Sequence, residues 1–177
     1  MPSRPPSSNN SDGNPPVRVP DHDLLRRIGR GAYGEVWLAR SVPGAYRAVK
    51  IVRKSSPELG RSYEREFEGI RRYEKISRGH EGLVDVLHVG LVPSGECFYY
   101  VMELADDVQT AIPLANSASP DSYRPKTLRD LRKDEGRLPI TRCLDIAARL
   151  AGALSQIHNA GLVHRDIKPS NVIFVEG

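Results

Sequence analysis

Residues 164–171 read HRDIKPSN and set a carboxylate, an amide and several cationic groups close together, just ahead of a β-rich VIFV. This set suits phosphoryl transfer. The transition state of that reaction is loose, so a protein acts mainly by positioning reactants and stabilising charge. Three jobs arise: an acceptor for a hydroxyl proton, a cation near the γ-phosphate, and oxygen ligands for Mg2+. Asp166, Lys168 and Asn171 have the chemistry for those jobs, in that order. The bland alternative is a solvated loop, but H-R-D with an Asn five residues past the Asp is an improbable chance pattern.

A second group lies far upstream. Gly29, Gly31 and Gly34 fit G-x-G-x-x-G, with Val36 two residues on. Alone this pattern is weak, since dinucleotide-binding folds share it. A dinucleotide site needs a helix opening at the glycines. Here Pro43-Gly44 follows too soon for a full helix, so a strand–turn–strand hairpin is expected, with backbone N–H groups free to lie over a triphosphate. Lys50 stands sixteen residues after Gly34 in an apolar strand, AVK. Burying an unpaired ammonium is costly, so Lys50 needs a partner or must reach water. Glu66 shares a helix face with Ile70 and Tyr73, whereas Glu64 and Glu68 point elsewhere, which makes Glu66 the favoured partner. A snorkelling lysine and a surface glutamate remain the alternative.

The positioning elements follow from periodicity and turn residues. LLRRIGRGAYGEVWLARS reads as two strands around a glycine turn, and YRAVKIV as a third. Tyr63, Phe67, Ile70, Tyr73 and Ile76 recur at helical spacing. GLVDVLHVGLV and CFYYVMEL are two further strands, separated by Pro93, Ser94 and Gly95. Asp106 to Lys126 is polar and aperiodic, and is expected to be a long connecting loop. Thr127 with Asp130 predicts a helix N-cap, and Gly136 a stop. A longer helix is expected from about Thr141 to Asn159, with Leu144, Ala147, Ala148, Ala151, Leu154 and Ile157 as its apolar stripe and Gly161 ending it. VIFV reads as a strand.

The first 21 residues are rich in Pro, Ser and Asn and are expected to be a flexible leader, with a proline-motif ligand as the alternative. Order is expected to begin near Asp23. The net charge of +4 fits a phosphate-bearing ligand but lacks the basic stripe of a nucleic-acid binder. No apolar run is long enough for a membrane span. Cys97 and Cys143 sit among apolar residues and read as buried, reduced thiols, which points to a soluble cytoplasmic protein. His80, His88 and His158 read as structural, and His164 as packed rather than a general base.

Taken together, RIGRGAYGEV, RAVK and HRDIKPSN resemble the glycine-rich loop, lysine strand and catalytic loop of eukaryotic-type serine/threonine protein kinases, with Ile167 in place of the usual Leu. The resemblance implies an α+β, two-lobed fold: a leader over 1–21, a five-stranded antiparallel lobe with one helix and a hinge over 22–105, and the start of a mostly helical lobe over 106–177. It implies ATP and Mg2+ as cofactors and a protein Ser/Thr hydroxyl as acceptor. Ile28, Val36, Ala48 and Met102 would wall the adenine pocket, and backbone groups of Glu103 to Ala105 would bond adenine. Lys50 with Glu66 would hold phosphates, Asp166 and Lys168 would serve the transfer, and Asn171 would bind Mg2+. Arg165 would pair with a phosphorylated activation loop. Asp106 or Asp107 approaches the ribose, or else is a plain exposed acid. The family continues past Gly177 to Asp-Phe-Gly, so these 177 residues alone are expected to be inactive. The alternative is a non-catalytic nucleotide-binding or interaction module.

Overall fold

A computed structural model describes residues 17–31, 34–54, 60–93, 95–109 and 120–175. The glycine-loop tip at 32–33, the turn residue Ser94, the middle of the long connection and most of the leader lie outside the described residues.

Five strands form one antiparallel sheet: β1 (His22–Gly31), β2 (Gly34–Ser41), β3 (Tyr46–Arg53), β4 (Val86–Leu91) and β5 (Cys97–Met102), in the order β1-β2-β3-β5-β4. The expected turn at Pro43-Gly44 is present, with Gly44 N–H donating to the Ser41 carbonyl at 2.8 Å. β5 is central in the packing because its alternating side chains feed both faces. Phe98 and Tyr100 join Val52 and Val86 under helix α1 (Gly60–Ser77), which contributes Tyr63, Phe67, Ile70 and Tyr73. Tyr63 and Phe67 each approach the Phe98 ring at 5.1 Å between centroids. Cys97, Tyr99 and Val101 pack with Ala39, Val49 and Ile51 on the other face.

That second face is also covered by Val19, which is only 3% exposed. Ordered chain therefore reaches back before Asp23, since Val17 and Val19 pack on the sheet. A Pro-rich segment with two valines offered no periodic pattern from which to expect this.

The helical part holds α2 (Leu128–Glu135) and α3 (Ile140–Asn159). Thr127 caps α2 as expected: its Oγ1 accepts from the Asp130 N–H at 3.2 Å and donates to the Asp130 carboxylate at 2.5 Å. Gly136 (φ 70) closes the helix. Gly161 (φ 68) turns the chain just past the end of α3, and Arg72 of α1 donates to the carbonyls of Ala160 and Gly161. This fastens the two parts together. The buried residues of α3 are Ala153 and Ile157, packed with Leu83 and, from α1, Tyr73 and Ile76.

The stripe residues Leu144, Ala147, Ala148 and Ala151 face outward, because α3 packs only through its C-terminal half among the described residues. Two expectations are corrected. Cys143 is exposed on that same outward side, while Cys97 is buried. VIFV contributes a single bridge, Thr127 to Ile173, rather than a full strand. No helix among the described residues is long and apolar enough to cross a membrane.

Candidate active site

The glycines lie in a β1–β2 hairpin, with Gly29 opposite Val36 and Gly31 opposite Gly34. A helix does not open there, which removes the dinucleotide alternative. The three glycines differ in what they need. Gly34 has φ +142, and a Cβ there would sit 2.2 Å from the Ile51 carbonyl oxygen of β3. A Cβ at Gly31 would meet nothing within 4 Å, so packing does not demand glycine at that position.

Register builds the rest of this surface. Val36 pairs with Lys50, Leu38 with Ala48, and Ala48 with Met102, so their side chains share one face of the sheet. Lys50 Nζ lies 3.0 Å from Glu66 Oε1, the partner expected from helical phase. The two side chains are 23% and 22% exposed, so the pair is shielded without being sealed. Burial pulls the Lys50 pKa down, but Tyr100 and Glu66 outweigh it and hold the ammonium above its ordinary value. Tyr100 is the residue that sequence reasoning missed. It stands directly across from Lys50, with the ammonium 5.5 Å from its ring centroid. Only the β3–β5 register could have revealed it.

After β5 the chain passes through Glu103, Leu104 and Ala105. Glu103 is held from the sheet side, since its N–H donates to the Asp85 carbonyl and its carboxylate accepts from the Asp85 N–H. Burial raises the Glu103 pKa. Asp106 is held from the other side: its N–H donates to the Phe174 carbonyl at 2.9 Å, and its carbonyl accepts from Lys126 N–H at 2.8 Å. These bonds run from the segment after β5 directly to the segment after HRDIKPSN. Neither Asp106 nor Asp107 is an exposed acid; both are buried. Asp107 Oδ1 accepts from the N–H groups of Gln109 and Arg124, clasping the two ends of the long connection.

In the HRDIKPSN loop two side chains converge on one carboxylate. Lys168 Nζ and Asn171 Nδ2 each lie 2.8 Å from Asp166 Oδ2, and Asn171 Nδ2 also donates to the Asp166 carbonyl. The Lys168 bond, followed by the Asn171 bond, lowers the Asp166 pKa below the usual 3.8. The carboxylate is therefore ionised at neutral pH, with its second oxygen outside these bonds. A carboxylate so held orients a hydroxyl and takes its proton late, as a loose transition state requires. Arg165 adopts φ 65, a left-handed conformation uncommon for non-glycine residues. A short 3-10 turn, Pro169–Asn171, then folds Asn171 back toward Asp166. His164 departs from expectation. It is exposed, and its Nδ1 accepts from the Asp166 N–H at 3.4 Å, a role that needs the ring nitrogen unprotonated.

Residues 22–177 match the protein kinase domain family. The chain belongs to the protein kinase family. Serine/threonine-protein kinase AfsK of Streptomyces griseus is 35% identical over 165 residues, covering 91% of this chain and 17% of that protein. Serine/threonine-protein kinase 36 of Mus musculus is 30% identical over 158 residues, covering 88% and 10%. A probable serine/threonine-protein kinase of Clostridium perfringens is 29% identical over 159 residues, covering 88% and 20%. The chain thus spans a fifth or less of these relatives. Kinase-family proteins are ATP-binding transferases, and the five-stranded sheet with a partial helical lobe is the architecture expected of one.

The residues expected to form the site lie in two described groups. Val36, Ala48, Lys50, Glu66 and Met102 lie together under the sheet, and Asp166, Lys168 and Asn171 lie together in the loop. Ile28 packs separately, with Leu38 and Tyr123 beside Leu104. Among the described residues no cluster of three or more His, Cys, Asp or Glu forms a ready-made metal cage. Asn171 still fits an Mg2+ ligand: its Nδ2 makes both bonds to Asp166, which leaves the amide oxygen as the free end.

Proposed function

We propose that this chain carries the ATP-binding and catalytic-loop part of a kinase that transfers the ATP γ-phosphoryl group to a Ser or Thr hydroxyl of a protein. The observation that carries the reading is the convergence of Lys168 and Asn171 on Asp166 while Lys50 and Glu66 are already paired. In the reaction, the substrate oxygen attacks the γ-phosphorus, the bond to the β-phosphate oxygen breaks, and the hydroxyl proton passes to Asp166. Lys168 places a cation beside the transferring group. Lys50, aimed by Glu66, holds phosphate oxygens, with Gly29, Gly31 and Gly34 laying backbone over them. Glu103 and Ala105 offer adenine their backbone between Ile28, Val36, Ala48 and Met102. Asn171 would hold Mg2+, which neutralises phosphate charge when bound.

Lys168-Pro169 supports Ser/Thr over Tyr as acceptor, by resemblance to serine/threonine kinases. Free thiols at Cys97 and Cys143 support a reducing compartment, and we place the domain in the cytoplasm. These residues hold one of the family's two Mg2+-binding side chains, so the isolated 177-residue chain is expected not to phosphorylate proteins.

Radiolabelled transfer by the full-length protein tests the reading. Asp166→Asn and Lys50→Met should each abolish transfer while leaving the melting curve cooperative. Near-normal turnover in either variant overturns the roles of Asp166 as proton acceptor and Lys50 as phosphate holder.

A further inference from the structure

A lysine is a compact charge on a flexible four-carbon stem, and one ion pair does not by itself fix where the charge stands. Glu66 sits on α1, outside the sheet, so its pair ties the Lys50 ammonium to that helix. The strands that carry Val36 and the glycine hairpin need a tie of their own. Tyr100 supplies it. β5 pairs directly with β3, which sets Tyr100 across from Lys50 on the face that α1 covers. Tyr100 is 8% exposed, stacks on Phe98 at 6.4 Å between centroids, and packs with Val52 and Val86. Its ring is therefore a fixed part of the sheet.

The face of an aromatic ring is negative and attracts a cation within about 6 Å of its centroid. The Lys50 ammonium lies inside that reach, at 5.5 Å. Burial raises the Tyr100 pKa against the pull of Lys50, so the phenol is neutral and presents a ring rather than a phenolate. An ammonium has three donors. Glu66 takes one at 3.0 Å, and the attraction of a ring is spread over its face, which leaves donor capacity for a phosphate oxygen.

We propose that Tyr100 is a positioning residue: its ring fixes the Lys50 ammonium relative to the sheet, so that Lys50 meets nucleotide phosphates from a place set by β3 and β5 and not by α1 alone. This inference rests on the reading of Lys50 as phosphate holder. Tyr100 acts through Lys50 and needs no contact with the nucleotide.

The test measures affinities of the full-length protein and its variants for ATP and for adenosine. Adenosine lacks the phosphates, so the ratio of the two affinities reads the grip of Lys50, whereas a general disturbance of the site weakens both ligands alike. Tyr100→Leu should lower the ATP-to-adenosine ratio by roughly fivefold, the worth of a partly shielded cation–π contact. Tyr100→Phe keeps the ring and should stay within about twofold of wild type. In a Lys50→Met background, Tyr100→Leu should leave the ratio unchanged. The inference is overturned by a Tyr100→Leu ratio within about twofold of wild type, by a Tyr100→Phe ratio as low as that of Tyr100→Leu, or by an equal drop in the Lys50→Met background. Lys50→Met alone separates the two layers. If it leaves the ratio unchanged, the phosphate reading of Lys50 fails and takes the inference with it; if it collapses the ratio while Tyr100→Leu does not, only the Tyr100 role fails. Should Tyr100→Leu lose its cooperative melt, Tyr100→Met, nearer in volume, takes its place with the same outcomes.

Discussion

Replacing Glu66 by Gln removes a charge from the Lys50 pair with little change of shape. At an effective dielectric constant of about 20, unit charges 3.0 Å apart attract by roughly 5 kcal/mol. Desolvation of both groups offsets much of that. Exposed pairs contribute at most about 1 kcal/mol, and breaking fully buried ones costs about 3–5 kcal/mol. With both side chains between one-fifth and one-quarter exposed, the Lys50–Glu66 pair falls between, and a loss of about 2 kcal/mol is expected. In a domain of this size that lowers Tm by about 4–8 °C. The pH dependence has a definite sign. Lys50 titrates above its ordinary 10.5 in the folded protein, so its contribution is complete below that value and fades as pH rises through the folded pKa. The difference between wild type and Glu66→Gln is therefore flat across neutral pH. Thermal melts of Lys50→Met, Glu66→Gln and the double variant give the coupling directly. A coupling below about 0.3 kcal/mol would refute the pair as an energetic unit.

Gly34→Ala should destabilise by roughly 3 kcal/mol or more, because its Cβ meets the Ile51 carbonyl at 2.2 Å with φ at +142. Gly31→Ala, meeting nothing, should leave denaturant midpoints within about 0.5 kcal/mol of wild type while weakening ATP binding; equal stability losses in the two variants would contradict this. Thr127→Ala removes the α2 cap and should cost about 1 kcal/mol in urea unfolding, with a loss under about 0.3 kcal/mol arguing against it. Carbon-13 NMR of the Asp166 carboxyl should show a pKa below 3.8 that rises in Lys168→Met; an unmoved value would mean that the Lys168 contact is not formed in solution.

Local chemistry was readable from the chain, and distant geometry was not. The choice of Glu66 over Glu64 and Glu68 needed only helical phase, because the apolar face at Ile70 and Tyr73 shows which way α1 turns. The hairpin at the glycines needed only the early Pro43-Gly44 turn. Thr127 and Asp130 are three residues apart, within one turn of helix, so their mutual capping is written in a tetrapeptide. Tyr100 is different. Its place beside Lys50 depends on the pairing of two strands separated by a helix and another strand, and periodicity carries no register between them. Tyr123 is harder still, since a lone tyrosine in a polar, aperiodic stretch gives no sign that its hydroxyl will reach Ala105. The α3 stripe shows a related limit: apolar spacing shows that a face exists, and not which neighbours meet it.

The bonds on either side of Leu104 have a mechanical meaning. Glu103 is fastened to Asp85 and so moves with the sheet. Asp106 is fastened to Phe174 and Lys126 and so moves with the segment that follows HRDIKPSN, while Tyr123 braces Ala105. Between these clamps, Leu104 is the backbone position left to absorb a change of angle between the two parts. Such pivots need only a few torsions. In the proposed nucleotide site, opening of the cleft would then be a swivel about one peptide neighbourhood, governed by how freely Leu104 turns.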